Sequence, residues 1–242
     1  VVQVASKYLA QVQQVFADAG LSECVHAIGQ PQEGNEISIS LAGTTLFNAP
    51  RNQLQRTWSQ TSYHIQRIRD NSDCAQQEYD ALLDEHSPGL HVALSYDLNE
   101  DVAAPYIATG VRPKVAILRE QGSNGHVELA AAFDRAGFNA IDVHMSDVRA
   151  ERIQLADFKG LAFSGGFSFG DALGAGSGWA KSILLSDTLR AEFSQFFTRN
   201  DTFTFGVNNG AQLLAQLSEL IPGAEHWPEF VLNQSETFEA RL

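Results

Sequence analysis

"TFTFGVNNGAQLLAQLSEL" (residues 202–220) runs from a β-forming stretch, "TFTFGV", through a glycine-framed turn into "AQLLAQLSEL", which reads as a helix. A strand that feeds a helix through a short turn is the repeating unit of a parallel sheet covered by helices. The turn Gly206-Val207-Asn208-Asn209-Gly210 has the form of an elbow, in which flanking glycines let a central side chain stand exposed on a strained strand-to-helix turn. Here the tip residue is Asn208.

The same alternation extends backward to Lys114. Strand "KVAIL", helix "HVELAAAFDRAG", strand "AIDVHM", strand "GLAFS" and helix "SDTLRAEFSQFF" precede the elbow. Leu189, Phe193, Phe196 and Phe197 follow i, i+4, i+7, i+8 spacing, with Ser186 placed to cap the helix. Ligands in such sheets collect outside the carboxyl ends of the strands, which selects the loops "REQGSNGH", "GGFSFGDALGAGSG" and "NNGAQ". All three are rich in Gly, Ser and Asn. Neither GxxxxGK[ST] nor a first-turn GxGxxG is present, so a backbone oxyanion site fits this loop set better than a phosphate cradle.

The region before Lys114 has a different texture. "KYLAQVQQVFADAG" places Leu9, Val12, Val15 and Phe16 at helical spacing and stops at Gly20, "CVHAIG" reads as a strand, and "EISISLAGTTLF" as a hairpin. "NQLQRTWSQTSYHIQRIRDN" puts Leu54, Trp58, Ile65 and Ile68 on one face of a long polar helix. Residues 84–112, broken by Pro88 and Pro105, read as a linker. The expected organisation is a small α+β segment over 1–83, the linker over 84–112, and an α/β domain over 113–242.

Composition excludes several classes. With 29 acidic against 16 basic residues and a formal charge of -13, the chain is unsuited to nucleic acid and to anionic membranes. No apolar run reaches the length of a membrane span and the start lacks the pattern of a signal peptide, so a cytoplasmic location is expected. Cys24 and Cys74 have no CxxC spacing and read as buried thiols, with no metal site assigned.

"RPKVAILREQG", "HVELAAAFDRAGF", "DVHMSD", "GGFSFGD", "LGAGSGWAKSIL" and "ELIPGAEHWPEF" together resemble the glutamine amidotransferase domain of the large, single-chain phosphoribosylformylglycinamidine synthases. "CVHAIGQ", the Trp58 helix with "QRIRDN", and "LSYDLNEDVAAPYIATG" resemble the end of that enzyme's synthetase portion and the connection that follows. The resemblance implies a flavodoxin-like parallel sheet, glutamine as ligand, and a synthetase domain or full-length synthase as partner. ATP and magnesium belong to the family's synthetase portion, and no residues here are assigned to them.

That family hydrolyses glutamine with a cysteine in G-V-C-N-G-C-Q. Asn208 stands at the nucleophile position, and Ala211 replaces the motif's second cysteine. The family's oxyanion hole falls on backbone N–H groups around Gly165 and Gly166 and at Asn209. Phe169 stands where Tyr is usual, and Ser164 where a Cys or similar small residue is common. The resemblance places the catalytic His and its acidic partner beyond "FEARL", so His226, Glu225 and Glu229 are expected to be structural or surface residues. Two functions follow as expectations: a synthase-derived amidotransferase domain of purine biosynthesis that does not hydrolyse glutamine, or a pseudoenzyme module that docks on a synthetase or binds glutamine.

Overall fold

The computed structural model describes residues 1–239; residues 240–242 of the expected α/β domain lie outside them. The chain divides into two compact units, Val1–Leu90 with residues 234–239, and His91–Asn233.

The first unit contains α1 (Leu9–Asp18), the strands β1 (Glu36–Leu41) and β2 (Thr44–Pro50), α2 (Arg51–Arg69) and α3 (Ser72–Ala81). β1 and β2 pair antiparallel, and the turn residues Ala42 and Gly43 both have positive φ, 49° and 81°. That pair of left-handed residues matches the right-handed twist of the strands it joins. "CVHAIG" forms no strand; only a short 3-10 turn, Ser22–Cys24, lies there. Cys24 is exposed and Cys74 half-buried, which corrects their reading as buried thiols.

The expected apolar face of α2 is also corrected. Trp58, Ile65 and Ile68 are exposed, whereas Asn52 and Tyr63 are the buried residues of the helix. α2 meets α3 through a polar and aromatic seam. Tyr63 stacks on Tyr79 with centroids 4.1 Å apart, the Arg56 guanidinium lies 4.1 Å from the Tyr79 ring centroid, and Arg56 pairs with Asp80 at 2.7 Å. Asn71 caps α3 by accepting from the Asp73 and Cys74 N–H groups at 3.1 Å each.

The second unit carries α4 (Ala104–Ile107), β3 (Lys114–Arg119), α5 (His126–Arg135), β4 (Asn139–His144), α6 (Met145–Arg149), β5 (Gly160–Phe163), α7 (Ser177–Leu184), α8 (Asp187–Phe197), β6 (Phe203–Gly206) and α9 (Asn209–Gln216). Its four strands are all parallel, in the order β4-β3-β5-β6. The α/β class therefore holds, with a parallel four-stranded sheet after a helical and hairpin segment.

The central strands β3 and β5 are buried on both faces, which explains the uninterrupted apolar character of "KVAIL" and "GLAF". Ala116, Leu118, Leu161 and Phe163 face a core shared with Trp179, Ile183, Leu189, Phe193, Phe196 and Leu213 from α7, α8 and α9. Val115, Ile117 and Ala162 face the other way, toward Leu129 and Phe133 of α5. Ser186 caps α8 by accepting from the Leu189 N–H at 3.4 Å. β6 is an edge strand among the described residues. Phe203 packs 5.5 Å from Phe138 and 6.1 Å from Phe133, and its ring occupies the space a side chain at Gly160 would need.

Just before β6, Asp201 binds the Arg199 guanidinium at 3.0 and 3.2 Å and the Lys159 ammonium. Arg199, then Lys159, hold its carboxyl down at about 2, so it stays ionised and tied to Lys159, which immediately precedes β5, through any ordinary pH. No helix of the described residues is long and apolar enough to cross a membrane.

Candidate active site

β6 ends at Gly206 and α9 starts at Asn209, so the chain reverses its conformation within two residues. Two glycines make that sharp turn sterically possible. A Cβ on Gly210 would lie 2.2 Å from the Phe163 carbonyl oxygen, and one on Gly206 would lie 2.6 Å from Leu214 Cδ1 and 2.7 Å from the Gly210 oxygen. The helix thus starts flush against the carboxyl end of β5. Between the glycines Asn208 adopts φ 54° and ψ -116°, outside the regions open to ordinary L-residues, and its side chain is exposed. Strain of this kind persists only where the surrounding structure over-determines it.

The loops after β3 and β5 meet the elbow. The Phe167 N–H donates to the Gly122 carbonyl at 3.0 Å, Phe169 N–H to Gln121 at 2.8 Å, and Asn124 N–H to Gly165 at 3.0 Å. Gly122 and Gly166 permit this backbone contact, since a Cβ at either would lie 2.2 Å and 2.5 Å from main-chain atoms of the opposite loop. Gly165, Gly166, Asn208 and Asn209, singled out from sequence, therefore share one locus.

Within it, the Gly166 N–H donates to Asn208 Oδ1 at 3.1 Å. Asn208 Oδ1 also lies 3.2 Å from where a Gly165 Cβ would stand, so a side chain there would press on the carboxamide. A backbone N–H aimed at a carbonyl oxygen on a water-accessible elbow is the arrangement that stabilises a developing oxyanion. Here the carbonyl it meets is the chain's own.

Sequence reasoning missed the part Asn209 plays through its side chain. At 1% exposure, its Oδ1 accepts from the Ser168 N–H at 3.2 Å and the Ser168 hydroxyl at 2.6 Å. Its Nδ2 donates to Asp171 Oδ1 at 2.9 Å and Gln212 Oε1 at 3.4 Å. All the carboxamide's groups are used, and the 165–171 loop is tied to the first turn of α9. Polar residues among glycines in "GGFSFGD" were the available signal, but the partner lies about forty positions away.

Glu120 was also missed. It is buried at the end of β3, with Oε1 accepting from the Gln121 N–H at 2.9 Å, and Oε2 has no hydrogen-bond partner among the described residues. The Arg149 guanidinium at 3.6 Å and the His144 ring at 3.8 Å face it. Beside it, Arg119 at the end of β3 chelates Asp142 of the adjoining strand β4 at 2.7 and 3.1 Å, which lowers that carboxyl below its usual range.

His226, Glu225 and Glu229 lie exposed beyond the last 3-10 turn. Ser164 is buried and donates to the Leu118 carbonyl at 3.0 Å, while Phe169 has positive φ and lies against Gly178. Among the described residues no group of three or more His, Cys, Asp or Glu is arranged to hold a metal ion.

The chain is similar to the structure of PurLQS from Thermotoga maritima, with 24% identity over 44% of this chain and 45% of that one, and a TM-score of 0.37. The similarity thus spans less than half the length of that relative. Residues 112–242, which include the four-stranded sheet and the elbow, match the CobB/CobQ-like glutamine amidotransferase domain, and the chain belongs to that family.

Proposed function

We propose that this chain is a glutamine amidotransferase domain derived from the single-chain phosphoribosylformylglycinamidine synthases of purine biosynthesis, and that it does not hydrolyse glutamine. The observation that carries this reading is Asn208 at the tip of the elbow with its carboxamide on the Gly166 N–H. Amide hydrolysis at such a tip needs a thiolate or an activated hydroxyl to attack the substrate carbon. A carboxamide nitrogen is delocalised into its carbonyl and offers no comparable electron pair. The side chain also occupies the donor that a substrate carbonyl would use.

The long string resemblance across both halves supports descent from the synthase, with residues 1–83 as the end of its synthetase portion. Within that reading ATP and magnesium act elsewhere in the whole enzyme. The exposed Trp58, Ile65 and Ile68 of α2 favour a docking role toward a synthetase partner, since clustered exposed apolar side chains are uncommon on free surfaces.

Catalytic turnover is the test. Ammonia released from glutamine by the purified chain is expected to stay at the no-protein background and to be unaffected by Asn208→Ala. Sustained release of many equivalents, abolished by that substitution, contradicts the reading.

A further inference from the structure

The backbone of Asn208 holds a second property, one that concerns its own carboxamide. An asparagine can close a five-membered imide when the next peptide nitrogen attacks its side-chain carbon. The ring contains Cα, Cβ, Cγ and the carbonyl carbon of the asparagine together with that nitrogen, so closure requires Cβ to eclipse the nitrogen about the Cα–C bond. In an L-residue Cβ is offset from the backbone nitrogen by about 120° about this bond, so the eclipse falls at a ψ of roughly -120°. Helical and extended residues, at ψ of about -42° and about +135°, are far from it. Asn208 sits at ψ -116°.

Three further features converge on the same carbon. The Gly166 N–H at 3.1 Å polarises the Cγ carbonyl and is placed to stabilise the oxygen when charge develops on it. The attacking nitrogen belongs to Asn209, the first residue of α9, whose N–H has no acceptor within the helix. The Asn208 side chain is exposed, so water reaches the product.

We propose that Asn208 is a self-deamidation site: the elbow and its oxyanion donor act on the chain's own carboxamide and release one ammonia. The Asn209 nitrogen forms a bond to Asn208 Cγ, and its proton passes through water to the departing amino group. The Cγ–N bond breaks, ammonia leaves, and a cyclic imide remains. Water then adds to either imide carbonyl, opening the ring to aspartate or isoaspartate. The balance is one water consumed and one ammonia released per chain, with no oxidant, reductant or cofactor. The aspartate product places a carboxylate on the Gly166 N–H and at the start of α9, where the helix dipole favours negative charge.

The chain carries its own controls. Asn124 and Asn209 each precede glycine, whose unhindered nitrogen makes such pairs the fast sites in an unstructured chain. In the folded protein Asn209 is locked by its hydrogen bonds, and Asn124 lies exposed in the loop before α5. The experiment is peptide mapping by mass spectrometry of the full chain aged at neutral pH, folded and in urea. At Asn208 a species lighter by one ammonia is expected first, followed by one in which hydroxyl has replaced the amino group. The rate at Asn208 is expected to be at least about tenfold higher in the folded chain than in urea, because the fold supplies the near-attack geometry. Any smaller ratio overturns the proposal. Because the readout is mass at Asn208 without glutamine, its failure is distinguishable from glutamine turnover.

Discussion

Gly210→Ala is expected to destabilise the second unit by about 3 kcal/mol or more, because the core at the elbow has no room for one methyl group. The added Cβ would stand 2.2 Å from the Phe163 oxygen, 2.7 Å from its carbonyl carbon and 2.8 Å from its Cβ. None of these is the loose end of a flexible side chain. Phe163 is fully buried in β5 between Trp179 and Phe193, so relief requires α9 to move off the sheet. For a domain of this size each kcal/mol is worth about 2–4 °C in Tm. Thermal unfolding followed by near-ultraviolet circular dichroism checks this, with Gly29→Ala as the reference, since nothing lies within 4 Å of a Cβ there. A Gly210→Ala midpoint equal to that of Gly29→Ala contradicts the close packing of helix on strand.

Asn209→Ala is expected to cost about 2–4 kcal/mol, because it strands the partners of a buried carboxamide that is fully engaged. The Ser168 hydroxyl and N–H lose their acceptor, and Asp171 loses a donor. The expected consequence extends beyond stability: residues 165–171 lose their tie to α9, and the Gly166 N–H loses its fixed position against Asn208. Urea denaturation of Asn209→Ala, Asp171→Ala and the double variant measures the coupling. The two losses are expected to be non-additive, since the residues share one hydrogen bond. Strict additivity contradicts the clamp.

What could be read from sequence follows from which interactions are local. The central strands β3 and β5 were legible because burial on both faces leaves an apolar run, and the elbow because glycines must flank its tip. α8 was legible through Leu189, Phe193 and Phe196, which are buried as their spacing implies. α7 was missed because "SGWAKSIL" continues a glycine-rich loop, yet Trp179, Ala180 and Ile183 make it part of the core. The α2 face was misassigned because its partner helix offers Tyr79, Gln76 and Asp80 in place of apolar side chains, so Tyr63 and Arg56 turn inward. "CVHAIG" has β-forming residues, but among the described residues no strand pairs with it. The Asn209 clamp and the Asn208–Gly166 contact join residues about forty positions apart, which periodicity and spacing do not encode.

If residues 206–210 keep an elbow that favours an ionised nucleophile, a thiol introduced by Asn208→Cys reports it. Cys24, exposed, and Cys74, half-buried, serve as internal references in the same molecule. The introduced thiol stands at the N-terminus of α9, one residue before its first turn, with the Gly166 N–H close by, a setting that favours thiolate. The pH dependence of its alkylation by iodoacetamide, read peptide by peptide, is expected to show ionisation below the ordinary thiol range of about 8.5 and faster labelling than Cys24 at neutral pH. Labelling no faster than Cys24 at any pH contradicts the account.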